Sequence, residues 1–177
     1  MAGFAQAQSV QFGPKAGFQV SDFTHVNDVN PALTWFAGAF GQYALPVEGL
    51  GLQGELLYSV QGINDADTDI YKERGMNILL PLLVTYEPMD KLNVHAGLQP
   101  GFLIRSNLII EDEAGRETFD RTYKYHRFNM AFLIGAEYEV MEGLNAGLRL
   151  NAGMSDLFIG YKGQKHNSFQ LYLAYTL

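Results

Sequence analysis

SFQLYLAYTL, residues 168–177, puts an apolar side chain at every second position. Phe169, Leu171, Leu173, Tyr175 and Leu177 share one parity, and Ser168, Gln170, Tyr172, Ala174 and Thr176 share the other. Successive side chains of a β-strand point to opposite faces, so a period of two marks a strand lying between two different surroundings.

The same alternation recurs along the chain. One parity reads Val10, Phe12, Ala16, Phe18, Val20; then Leu52, Leu56, Tyr58, Val60; then Leu92, Val94, Ala96, Leu98, Phe102, Ile104. It continues with Phe128, Met130, Phe132, Ile134, Ala136, Tyr138 and with Leu144, Ala146, Leu148, Leu150, Ala152, Met154. Two stretches are less clean. LTWFAGAFGQYAL leaves its register open, and MNILLPLLVTYEP is apolar on both faces and carries Pro81, which cannot donate to a ladder. Counting both as strands gives eight. Short turns at LPVEGLG, EPMDKL and VMEGL alternate with longer polar loops at 22–31, 64–74, 110–121 and 156–166. Strict alternation of short and long connections implies an up-and-down antiparallel meander. Both chain ends fall at its short-turn end, where the first and last strands can pair and close a barrel.

Face content says which side meets which solvent. The apolar parity is almost free of charge, while the other is rich in Gly, Asn, Gln and Ser with a few scattered charges. A water-exposed face would hold many more Lys and Glu. The expectation is therefore a transmembrane barrel with apolar side chains toward lipid. Aromatics agree: Tyr43, Tyr86, Tyr138 and Tyr175 lie near the short-turn end, and Trp35, Tyr58, Phe102, Tyr123 and Phe158 near the long-loop end. Two such belts suit the two membrane–water interfaces. Lys15, Glu55, His95, Arg105, Glu137 and Arg149 take the inward parity, where opposite charges should meet across a lumen too narrow for a free channel. A charge of -7 and a pI near 5.0 argue against nucleic acid, and the chain has no cysteine for disulfide or thiolate chemistry. No apolar run is long enough for a transmembrane helix. Ala5-Gln6-Ala7 has the A-x-A form of a signal-peptidase site, so residues 1–7 read as a signal-peptide remnant and 8–177 as one barrel domain.

Chemical motifs are sparse. His166 and Ser168 have a His-x-Ser spacing that could serve a hydrolytic triad, with no Asp or Glu following to orient the histidine. Asp65, Asp67 and Asp69 start like a calcium loop, but Ile70 stands where the sharp turn needs Gly. These acids, and Glu111-Asp112-Glu113, read as solvated loops. The four histidines have no ligand spacing, and no phosphate loop or nucleophile elbow is present, so no metal, cofactor or catalytic residue is assigned.

FGPKAGFQVS, LQGELLYSVQG, NILLPLLVTYEP, LNVHAGLQPGFLI and FLIGAEYEVMEGLNAGLRLNAGMSDL, taken in order, resemble the PorT-like outer-membrane β-barrel domain of Gram-negative bacteria. The resemblance implies an outer-membrane barrel of a family usually without known enzymatic activity, with some relatives serving type IX secretion. Together with the face content it leads to an integral barrel of structural or interaction role. Its partners would be outer-membrane lipids and lipopolysaccharide, and envelope proteins. A secretion or envelope-assembly component and a soluble lipocalin-like lipid carrier are the alternatives.

Overall fold

The alternation becomes a closed wall. In the computed structural model, which describes residues 10–23, 29–65, 71–112, 115–156, 158–160 and 163–177, the strands in chain order are β1 (Val10–Phe23), β2 (Val29–Ala44), β3 (Leu50–Asp65), β4 (Tyr71–Leu79), β5 (Leu82–Met89), β6 (Leu92–Asp112), β7 (Gly115–Asp120), β8 (Phe128–Met141), β9 (Leu144–Gly153) and β10 (His166–Tyr175). All pair antiparallel with their neighbours around the ring, and β1 against β10 closes it, Lys15 opposite Ala174 and Phe18 opposite Leu171. The last residue takes part: Leu177 N donates to Phe12 O at 3.0 Å. Closure pairs the first strand with the last, as a membrane demands of any sheet that spans it.

The ring has eight staves. β4 and β5 form one stave broken at Leu80–Pro81, because proline has no N–H to give the ladder. The ladder bridges the break all the same: Leu80 N donates to Pro100 O and Glu55 N to Pro81 O, both at 2.9 Å. β7 is an addition to the third long connection, folding back on the outer end of β6 with Asp112 opposite Gly115 and Asn107 opposite Asp120. The polar loops expected at 22–31, 64–74 and 110–121 are therefore shorter than their polarity suggests, since strands run on into them. Short turns fall where expected, with positive φ at Gly49 and Gly143 and at Lys91.

Orientation is unambiguous. Phe169, Leu171, Leu173 and Tyr175 are exposed on the outer wall, as are Phe12, Phe18, Leu52, Leu56, Ile134, Leu148 and Leu150 on neighbouring strands. Ser168, Gln170, Tyr172 and Ala174 are buried inside. The apolar positions from Phe169 to Leu177 span nine residues, the length a tilted transmembrane strand needs. A lipocalin-like carrier requires the opposite arrangement, and that alternative fails here. The open register of β2 also resolves: Ala32, Thr34, Phe36 and Phe40 point in, Leu33 and Trp35 out.

Candidate functional site

The inward side chains of the short-turn half form a charged layer across the lumen. Lys15 on β1 donates to Glu55 on β3 at 2.9 Å and to Glu137 on β8 at 2.7 Å. Arg149 on β9 grips the same Glu55 with both terminal nitrogens, Nη1 to Oε2 at 2.9 Å and Nη2 to Oε1 at 2.7 Å. Gln53 Nε2 donates to Glu55 Oε1 at 2.7 Å, and Tyr172 Oη on β10 donates to Glu137 Oε1 at 2.8 Å. His95 on β6 faces Arg149 Nε at 3.4 Å. Arginine has no acceptor, so His95 Nε2 takes that hydrogen, while its Nδ1 has no hydrogen-bond partner. Lys15 Nζ also lies 4.4 Å from the centre of the Tyr172 ring. Two cations thus meet two anions, and Arg149 and Lys15 are almost wholly shielded from solvent. Burial of single charges would be prohibitive; two cations bonded to two anions make a neutral set that is tolerable.

Glycine makes the room. A Cβ at Gly147 would overlap the Tyr172 ring, and one at Gly135 would press on His95 Nε2. Above the layer lie amides and hydroxyls, with Gln19 Nε2 donating to Ser59 Oγ at 2.9 Å and Gln170 Nε2 to Gln19 Oε1 at 2.8 Å. An apolar cluster of Phe36, Leu57, Leu79 and Tyr172 fills the space between staves.

The outer mouth is built differently. A short 3-10 helix, Thr122–Lys124, folds over the barrel rim, its Thr122 Oγ1 accepting Ser106 N–H at 2.9 Å. Tyr125 is buried against Ile63, Leu103 and Phe158. Burial raises its phenol pKa first, and Glu73 adds to the effect. A cavity of about 30 Å³ lies beneath, lined in part by Gln61, Asn77, Ser106, Tyr125 and Asn129, room for a water or two.

Of the six residues expected in the lumen, Lys15, Glu55, His95, Glu137 and Arg149 converge in the charged layer. Arg105 does not. A β-bulge shifts the ladder so that Met76 pairs with Arg105 and Asn77 with Leu103, leaving Ile104 unpaired and reversing the parity beyond it. Arg105 is exposed on the outer wall, paired with Asp120 at 3.4 Å. Among the aromatics, Trp35 and Tyr58 lie ring to ring at 5.7 Å on the outer face, and Phe102 lies 5.3 Å from Phe128. Tyr86, Tyr138 and Tyr175 are exposed toward the short turns, with Tyr43 half-buried. Tyr123 is exposed on the 3-10 helix. Phe158 departs from the belt: its ring stacks on Tyr125 at 4.5 Å, because an isolated bridge draws the last long connection over the mouth. Tyr172 and Gln53 are the site residues that charge alone missed; inward parity marks Tyr172, which shares it with Ser168 and Gln170.

His166 is buried at the start of β10, and Ser168 accepts a hydrogen bond from Asn151 Nδ2 at 3.0 Å, so its hydroxyl is engaged with a neutral amide. Asp67 and Asp69 lie outside the described residues, as do Ala5–Ala7 and Glu113. Among the described residues no three His, Asp or Glu side chains converge as metal ligands do.

A closed barrel, greasy outside and polar within, with long connections at one end, defines an integral outer-membrane protein. The chain belongs to the family of outer membrane protein beta-barrel domains, whose model matches residues 4–159. Among solved structures it is similar to Ail, the attachment invasion locus protein of Yersinia pestis, solved with the heparin analogue sucrose octasulfate, at a TM-score of 0.58 and 11% identity over 96% of this chain and 99% of that one. It is also similar to Neisserial surface protein A, at 0.52 and 11% over 97% and 99%. These likenesses establish the fold. A comparison with curated proteins finds no match. The protein is thus an integral barrel of the bacterial outer membrane with a structural or interaction role.

Proposed function

We propose that the barrel is a non-conducting, non-catalytic scaffold that presents its outer connections to the cell surface, held among outer-membrane lipids and lipopolysaccharide. The observation that supports it best is the charged layer, in which side chains from β1, β3, β6, β8, β9 and β10 cross the lumen and bond to one another. An ion would have to break that set to pass. The mouth, by contrast, carries a projecting β6–β7 hairpin on a rigid base, the usual arrangement for binding. In planar bilayers at neutral pH the purified protein is expected to stay silent; a steady current from the wild-type chain would overturn the reading.

The finer kinship to PorT-like barrels is supported by the ordered stretches quoted above. It would add envelope proteins as partners at the short turns, whose exposed tips include Glu48, Asp90 and Glu142. Photo-crosslinkers at those positions in native envelopes should then capture a discrete neighbour. Capture from the long-loop side alone would leave the barrel working at the surface.

A further inference from the structure

The bulge in β6 is more than an irregularity. It carries Arg105 out of the lumen and onto the wall that faces lipid, just beyond Phe102 and Ile104. A guanidinium on that wall is costly except at the level of the headgroups. Arg105 stands at that level, since the Phe102–Phe128 ring pair of the outer belt lies immediately below it. It also has company. Residues 121–127 read RTYKYHR, with three cations and no acid, in a chain of net charge -7. Lys124 and Arg127 are exposed, and Tyr123 beside them is 73% exposed. Arg127 is set next to the bulge, for its carbonyl accepts Leu103 N–H at 2.7 Å. Asp120 Oδ2 is 3.4 Å from Arg105 Nε, and Arg127 is near enough for its charge to act on the same carboxyl. The backbone of Glu111, at the outer end of β6, is about 20 Å further along the strand at 3.3 Å per residue.

We propose that Arg105 and Arg127, with Lys124, bind the phosphorylated disaccharide head of lipid A in lipopolysaccharide, its acyl chains lying over Phe102, Ile104 and Phe128. The proposal rests on reading the long-connection end as the outer face of an outer-membrane barrel. Arginine suits phosphate because its planar fork donates two parallel hydrogen bonds. Three cations on one rim, Arg105, Lys124 and Arg127, match one molecule carrying two phosphates better than a phospholipid carrying one. Asp120 acts as the built-in counterion that holds Arg105 in place and competes with the incoming phosphate.

The test uses the full chain refolded in detergent, with lipid binding read by native mass spectrometry and folding by heat-modifiable gel migration. Three probes are compared: diphosphorylated lipid A, dephosphorylated lipid A and phosphatidylglycerol. Diphosphorylated lipid A should bind the wild type about tenfold tighter than either other probe, and R105Q/R127Q should erase that margin. D120N keeps the side-chain oxygen that accepts Thr122 N–H and removes the competing charge, so it should tighten lipid A binding several-fold. Should R105Q/R127Q fail to fold, the wild-type phosphate preference and the D120N gain still decide. Equal binding of the three probes by a heat-modifiable wild type overturns the site and leaves the barrel intact. Equal loss of lipid A and phosphatidylglycerol in R105Q/R127Q also overturns it, as a generic anionic surface. A wild type that is not heat-modifiable would instead overturn the barrel reading itself.

Discussion

The two halves of the lumen handle buried polarity in different ways. Toward the short turns the barrel buries four full charges, and each is bonded to at least one opposite charge. Toward the mouth it buries neutral amides and hydroxyls, and at both levels it is neutral groups that go without a protein partner: the side-chain oxygens of Gln99 and Asn151 there, Asn93 Oδ1 and His95 Nδ1 toward the short turns. The contrast follows from the cost of failure. An unanswered amide costs about 1–3 kcal/mol, whereas an unanswered buried charge costs several and must be avoided outright. Charges are therefore confined to the one level where β1, β3, β8 and β9 can meet across the ring, while the looser mouth is left to groups that tolerate imperfection.

The sharpest way to break that contrast is to unbalance the charged layer. Arg149→Met removes both hydrogen bonds to Glu55 and leaves two carboxylates to share Lys15. A loss of about 3–5 kcal/mol is expected, read as a lower urea midpoint of heat-modifiable migration in detergent. Glu55→Gln combined with Arg149→Met should recover much of it, because the double variant restores neutrality. If Arg149→Met costs no more than Asn151→Ala at the mouth, the two halves are not different in kind.

Next in size is the space the layer needs. Gly147→Ala puts a methyl where the Tyr172 ring stands, and that ring cannot retreat without losing its bond to Glu137. About 1–3 kcal/mol is expected by the same unfolding assay. At the mouth, Thr122→Val deletes the acceptor of Ser106 N–H and should cost about 1 kcal/mol. That loss should appear as faster hydrogen exchange at the Ser106 amide, with β9 and β10 unaffected.

How much of this could be read beforehand depends on period and parity. Strand alternation is local and strict, so β1, β3, the first half of β6, β8, β9 and β10 and their facing directions are legible, and with them Lys15, Glu55, His95, Glu137 and Arg149 as inward residues. Parity propagates only while the ladder is regular. One unpaired residue, Ile104, reverses everything after it, and nothing in LQPGFLIRSN announces the reversal, so Arg105 was placed inside. Phe158 leaves the belt for a related reason: its neighbours come from a bridge to Tyr125 distant in sequence. The extension of β6 and the turn back through β7 were hidden by their polarity, since a strand beyond the membrane has no apolar face to declare itself.

The smallest expected effect concerns acid, and it isolates the rim from the layer. Asp120 Oδ1 accepts Thr122 N–H at 2.9 Å, and the carboxyl is held below the ordinary aspartate value of 3.8, by hydrogen bonds from Thr122 first and by Arg105 and Arg127 in addition. A carboxyl that is more acidic folded than unfolded supports the fold fully above its unfolded value. That support fades as pH falls through the lower, folded value. Amide protection at Thr122, corrected for intrinsic exchange, should thus be level from pH 7 to about 5 and weaken only below about pH 4. D120N should flatten that dependence. A loss of protection that sets in between pH 7 and 6 would instead separate the mouth from its arginine–aspartate anchor.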